Sequence, residues 1–263
     1  MIVFAAFTPH TPLLLPTVGK ENLGKMKETA LGMEKLSEEL YASHPDTIVI
    51  ISSHSARHED AFSINLHDEY IADAKDFGDL QTAAEFIPDL PLIDRIQRAL
   101  RKNGIAFTLD SDAVLDHGCA IPLLLLARNL PHVKIIPISY SGLSPKDHAE
   151  FGRALKDVLT DSTKRIAVLA SGDLSHCLST DAPEGFHKAG PIFDRAIQAA
   201  VQDLSLSKLL SIKPETVEDA SQCGYRPLLI LMGTLERMQV WPEILAYEAP
   251  FGVGYLTAQF HLK

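Results

Sequence analysis

An α/β fold, a single domain with a largely parallel central sheet flanked by helices, is what the sequence predicts, and two observations predict it. Short apolar runs of strand length alternate with segments of helical period along the chain, the pattern of a sheet wound with crossover helices. Four of those runs, 2–7, 47–51, 105–109 and 165–170, lead into polar turns that carry a histidine. The turns are Thr8-Pro9-His10, Ser52-Ser53-His54, Asp116-His117-Gly118 and Gly172-Asp173-Leu174-Ser175-His176. Ligands of α/β sheets bind outside the carboxyl ends of the strands. The four histidines are therefore expected to converge at one rim as a metal and acid–base site.

Taken in order, Ile2 to Phe7 reads as a buried strand, and Pro9, Pro12 and Pro16 keep the next stretch out of helix. From Lys20 to Tyr41, Leu23, Met26, Leu31, Met33, Leu36 and Leu40 recur at helical spacing and lead into the strand Thr47–Ile51. Phe62 to Leu66 alternates as a half-exposed strand does. Residues 68–90 are mixed and acidic without a clean period, and are expected to form a long surface excursion, a lid or substrate wall. A helix over 92–100 ends at Gly104, the strand 105–109 follows, and Pro122 near a first turn opens a buried helix to Leu126. The strand 133–138 ends in Ser139-Tyr140-Ser141-Gly142. Ser144-Pro145 then starts an amphipathic helix to about Leu159. After the strand 165–170, helices at about 191–202, 205–212 and 225–238 precede two closing strands, 243–247 and 253–260.

The bulk properties narrow the function classes. At 263 residues, 46% hydrophobic and 22% charged, the chain is an ordinary globular protein able to bury a sizeable core. A net charge of -10 argues against nucleic acid or an anionic membrane as a partner. No apolar run approaches the ~18 residues that span a bilayer, and no basic segment precedes the first strand as in a signal peptide. Three cysteines make no disulfide framework, so a cytoplasmic location is expected. Neither a Gly-x-Ser-x-Gly elbow nor a Walker-type glycine loop occurs.

Among the candidate site residues, His10 lies in a stiff loop between two prolines, and His54 is anchored by a buried strand with His58 as a nearby competitor. Each is also the kind of loop histidine that bonds a carbonyl. His117 and His176 have Asp116 and Asp173 close by, and a carboxylate fixes an imidazole tautomer and raises its basicity. Aspartate in such turns serves capping as well. Cys223, in Ser221-Gln222-Cys223-Gly224-Tyr225-Arg226-Pro227, precedes a helix whose N-terminus favours a thiolate. That makes it a stronger ligand or nucleophile candidate than Cys119 or Cys177, which read equally as small packed residues. Glu218 and Glu248 are alternative carboxylates, although the glycine- and aromatic-rich stretch 247–255 reads more readily as a tight turn.

Through its four histidine turns, with Pro122-Leu123 after the third, the chain resembles the class III extradiol dioxygenases of the protocatechuate 4,5-dioxygenase β-subunit type, with the related Memo proteins. The resemblance covers nearly the whole chain and implies one catalytic domain over 1–263. In those dioxygenases two histidines and a glutamate hold a non-haem Fe(II) with positions open for substrate and O₂. The resemblance implies His10 and His54 as ligands, His117 and His176 as acid–base and substrate-positioning residues, and Asp173 in support. The third ligand departs from that pattern. Where the family's glutamate opens a late helix, this chain has Gln222-Cys223-Gly224, and Memo proteins have a cysteine in a similar context. Cys223 is thus the matching position, with Glu218 and Glu248 left as substitutes. Fe(II) stays the first expectation, but a site with a thiolate is softer and brings Zn or Cu into play.

The implied activity is ring cleavage of a catecholic aromatic substrate with O₂, His176 acting as base and His117 as proton donor, with Tyr140 and Arg226 near the substrate. The alternatives are a Memo-like metal-binding protein serving redox chemistry or partner recognition, and a zinc hydrolase. Relatives that work with a small partner subunit or a fused domain add a homo-oligomer or small partner subunit to the expectations.

Overall fold

Strands that are apolar on both faces must be covered on both faces, and the long apolar runs of this chain lie side by side at the centre of the molecule. The computed structural model describes residues 1–263. Strand β1 (Ile2–Thr8) is followed by the single turn α1 (Pro16–Gly19), a 3-10 stretch over Lys20–Met26, and helix α2 (Lys27–Ala42). The helix expected from Lys20 therefore becomes α-helical only at Lys27. Lys20 sits at a φ of 46°, and no side chain caps the 3-10 stretch. Next come β2 (Thr47–Ser52), β3 (Phe62–Asn65), β4 (Tyr70–Ala74) and β5 (Asp79–Pro88).

The β4–β5 hairpin occupies most of the segment expected to be an irregular excursion. Its inward side is carried largely by alanines, Ala72 and Ala74, which leave little hydrophobic period to read, and Gly78 at a φ of 84° turns the chain between the strands. β3 is buried along its whole length rather than half-exposed, because Phe62 stacks on Phe151 at 4.1 Å.

The chain continues through α3 (Leu90–Lys102), β6 (Phe107–Asp110), α4 (His117–Leu126), β7 (Lys134–Ser139), α5 (Pro145–Thr160) and β8 (Ile166–Ser171). Pro122 lies inside α4 rather than opening it. Asp116 caps the helix by accepting from the N–H groups of Gly118 (2.8 Å) and Cys119 (3.3 Å), so the first turn starts at His117. The Ser144 cap of α5 is a full capping box with Asp147. The last third holds α6 (Ala189–Gln202), α7 (Leu206–Leu210), an unanticipated short α8 (Pro214–Asp219), α9 (Tyr225–Leu235), and the strands β9 (Val240–Glu248) and β10 (Tyr255–Leu262).

The sheet order is β4-β5-β7-β2-β8-β1-β10-β9, with β3 beside β7 and β6 beside β3. The centre, β7-β2-β8-β1, is wholly parallel, and antiparallel pairs occur only outside it: β10 on β1, β9 on β10, β4 on β5 and β3 on β7. Period-two alternation splits the core. Ile48 and Ile50 of β2 face α2 and α4 with Leu36, Leu40 and Leu123, while Val49 and Ile51 face α5 and α9 with Leu155 and Leu229. Each such side chain contributes roughly 1.5–3 kcal/mol by leaving water. No helix is long and apolar enough to cross a membrane.

Candidate metal centre

The parallel register lines up the strand ends. Thr8 lies opposite Ser171, Ile51 opposite Ala170, and Ser52 opposite Ser139. His10, His54 and Asp173 each follow their strand's last residue by two positions. In an extended chain this returns the side chain to the same face. Because β8 lies between β2 and β1, the two histidines lean together across the column that carries Asp173.

His10 Nε2 is 3.1 Å from His54 Nε2 and 3.6 Å from Cys223 Sγ, and the three donor atoms all lie within 4.8 Å of one another. Two imidazole nitrogens ~2.1 Å from one ion at a right angle stand ~3.0 Å apart, and a nitrogen and a sulfur at ~2.1 and ~2.3 Å stand ~3.1–3.6 Å apart. The donor set therefore fits one metal ion. His10 is buried and its Nδ1 faces Ser171 Oγ at 3.0 Å, which orients the ring with Nε2 toward the group. Burial first, then the neighbouring His117, pushes its pKa down to about 3. His54, open to solvent on one side, is also held down to about 3, by partial burial and then by His10 and His117. Both rings are thus neutral and offer lone pairs, the form that binds a metal.

Cys223 is brought in by a backbone clasp. Its N–H and that of Gly224 donate to the Asp173 carbonyl (3.3 and 2.9 Å), and the Asp173 N–H donates back to Cys223 Sγ (3.2 Å). The clasp needs glycine on both sides. A Cβ on Gly172 would collide with Gly224 Cα, and one on Gly224 would come within 2.8 Å of the Phe7 ring. The thiolate expected from the helix N-terminus is not favoured by the surroundings. Burial, and then the Asp173 carboxylate, push the Cys223 thiol up to about 12. A bound cation reverses that balance, since a coordinating thiol loses its proton.

Around the group stand His117, with its ring centre 4.1 Å from that of His54 and 5.1 Å from that of His10, and His176, whose buried Nε2 has no hydrogen-bond partner. Phe77, on the turn of the hairpin, closes over His117 at 5.7 Å. Asp173 is buried and its pKa is raised to about 6, burial outweighing the stabilising charge of His176 and the His10 N–H that donates to Oδ1 at 3.2 Å.

The aspartates do not partner the histidines beside them in sequence. Asp116 accepts from the hydroxyls of Ser52 and Ser55 and caps α4, tying the His54 loop to the His117 helix, and makes no hydrogen bond to the His117 ring. Asp173 serves His10 rather than His176, approaching His10 Nε2 to 3.7 Å.

The other candidates are placed elsewhere. His58 is bonded to Asp110 at 2.9 Å. Glu248 accepts from the Thr29 N–H at 2.7 Å and so caps α2, and Glu218 is exposed on α8. Cys119 and Cys177 are buried. Two residues went unread in the sequence. Ser171 is the last residue of an apolar strand and differs from other strand-end serines only in its register with Thr8. Phe77 lies in a segment with no period.

The fold has a counterpart in the crystal structure of uncharacterized protein JW3007 from Escherichia coli K12, with a TM-score of 0.66 over 98% of this chain and 99% of that one at 19% identity. Protein CA_C1420 of Clostridium acetobutylicum is 32% identical over 256 residues, covering 94% of this chain and 55% of that protein. The 2,3-dihydroxyphenylpropionate/2,3-dihydroxicinnamic acid 1,2-dioxygenase of Photorhabdus laumondii is 28% identical over 185 residues, 67% of this chain and 56% of the enzyme. The chain thus spans about half the length of the curated relatives it matches. The family model described as the catalytic LigB subunit of aromatic ring-opening dioxygenase matches residues 4–258, and the chain belongs to that family.

Proposed function

We propose that this chain carries out extradiol-type cleavage of a catecholic aromatic substrate with O₂, using Fe(II) held by His10, His54 and Cys223. The observation that carries the reading is the meeting of three neutral-form donors from three distant loops, next to a buried imidazole nitrogen, His176 Nε2, with no partner of its own. When bound, the metal supplies a Lewis-acidic, redox-active centre at which a diol and O₂ meet.

The protein's own residues handle positioning and protons. His176 Nε2 takes the proton of a substrate hydroxyl, the role its unpaired nitrogen suits. His117, stacked beside His54, holds a proton for the oxygen that becomes a product carboxyl. Asp173, its pKa near 6, keeps the His10 loop in place and offsets positive charge on His176. Phe77 covers the His117 side and limits water there. In the net reaction the ring carbon–carbon bond beside the diol breaks, and both atoms of O₂ enter the product.

One observation favours a second reading. A thiolate in the third ligand position is softer than a carboxylate, which suits a Memo-like redox or partner-recognition role with Zn or Cu. The three cysteines are all free, in keeping with a reducing cytoplasm. The experiment is oxygen uptake by protein reconstituted anaerobically with Fe(II) and given a panel of catechols. His176→Ala and His117→Ala are expected to keep the metal and lose turnover by about 10²–10⁴-fold. Stoichiometric metal with no oxygen uptake on any catechol would favour the second reading.

A further inference from the structure

Two clefts open beside the metal group, and they differ in charge. One, about 520 Å³, is lined by His54 together with Asp76, Asp110, Asp112 and Asp116, and no lysine or arginine enters it. The other, about 600 Å³, starts at Ser221 and Gln222, immediately before Cys223, and carries Arg57 and Arg226. Part of its wall is apolar, from Leu210, Ile212 and Val217, and its one carboxylate, Glu218, is exposed.

Arg226, half-buried in the first turn of α9, has its guanidinium 5.4 Å from the centre of the Tyr140 ring, and Arg57 reaches the same ring at 5.8 Å. The ring's face attracts a cation but takes none of its N–H donors. Arg57 is paired with Glu59 at 3.0 Å on the surface. Arg226 has neither a salt bridge nor a side-chain hydrogen bond, and its backbone N–H meets no carbonyl. A half-buried guanidinium with a free fork of donors, on the wall of a partly apolar cleft, is matched by a carboxylate, which it binds through two parallel hydrogen bonds.

We propose that this second cleft is the anion subsite of the substrate pocket, with Arg226 as the residue that selects an aromatic acid and Arg57 in support. The acid's stem lies along Leu210, Ile212 and Val217, and its ring points toward Cys223. The aspartates of the other cleft repel the same tail, so charge sets which way the substrate enters. This inference rests on the aromatic-substrate reading above.

The test is calorimetric titration of the full chain with 3-phenylpropionate and with its neutral amide, neither of which carries a diol. Wild type is expected to prefer the acid by about tenfold. Arg226→Gln, which keeps the stem, abolishes the preference. Arg57→Gln reduces it less, since Glu59 already neutralises that side chain. Equal affinities in wild type, no binding of either compound, or an undiminished preference in Arg226→Gln would overturn the proposal. If Arg226→Gln fails to fold, Arg226→Lys decides. Lysine keeps the charge without the fork, so a several-fold loss of preference is expected, and an unchanged preference overturns the assignment. Ring cleavage without acid preference would sink the subsite alone, and acid preference without ring cleavage would sink the enzymatic reading alone.

Discussion

His10 Nε2 is the atom nearest both other donors, 3.1 Å from His54 and 3.6 Å from Cys223. His10→Ala removes it and leaves two ligands from loops that no longer share a partner. A metal that binds only the folded chain, at a free concentration about a hundred times its Kd, stabilises by ~2.7 kcal/mol. For 263 residues at about 2.1 cal/mol/K of unfolding entropy per residue, that moves the midpoint by about 5 °C. The substitution also lowers stability without metal, because a buried ring is lost and Ser171 Oγ loses its partner, at roughly 2 kcal/mol. The quantity to compare is therefore the metal-induced shift rather than the midpoint itself. Scanning calorimetry under anaerobic conditions, with Fe(II) or Zn(II) and then with chelator, alongside elemental analysis, should show the shift in wild type and its loss in His10→Ala. His58→Ala should keep it, since His58 is held by Asp110. A full shift and full metal content in His10→Ala would refute the assignment of the site.

Cys223→Glu converts the donor set to the harder two-histidine, one-carboxylate type and is expected to raise Fe(II) occupancy and ring-opening activity, followed by absorbance of the ring-fission product; no gain would argue against a latent dioxygenase scaffold. Gly172→Ala drives a methyl into Gly224 and toward the Cys223 carbonyl carbon, and should cost about 1–3 kcal/mol in urea unfolding together with most of the bound metal; full stability and full metal content would refute the clasp. Asp194 is buried, accepts from the Ser175 N–H (2.9 Å) and the Tyr247 hydroxyl (2.7 Å), and burial raises its pKa to about 6. The folded chain holds that proton above the ordinary carboxylate range, so its contribution to stability is complete below about pH 4 and is lost, up to ~2–3 kcal/mol, as pH rises through about 6. Asp194→Asn should flatten that slope in unfolding curves at pH 4, 5, 6 and 7, and an unchanged slope would assign it to another group.

Several features were legible because their causes are local. The central strands are uninterrupted apolar runs, the Ser144-Pro145 start of α5 is a complete cap, and His10 and His54 stand at the same offset beyond their strands. Other features were hidden because the deciding neighbour is far along the chain. The β4–β5 hairpin pairs an alanine-rich strand with one whose side chains are mostly exposed, so no period marks it. The pairing of each histidine with its neighbouring aspartate failed for the same reason. Asp116 spends its oxygens on Ser52, Ser55 and a helix cap, and Asp173 on the His10 loop. The thiol of Cys223 reads as acidic from its helix position, yet desolvation, which depends on everything packed around it, drives it the other way.

The amino-acid order alone determined the alternation of strand and helix, the strand ends, and the set of donors that those ends display, because hydrophobic period and turn chemistry act within a few residues. Which donors meet was decided only by the tertiary structure. Strand order β2-β8-β1 brings His54 and His10 together over Asp173, and the glycine-to-glycine contact at 172 and 224 delivers Cys223 from 213 residues away. Register and crossover depend on burying both sheet faces at once, a condition on the whole chain that no local stretch carries.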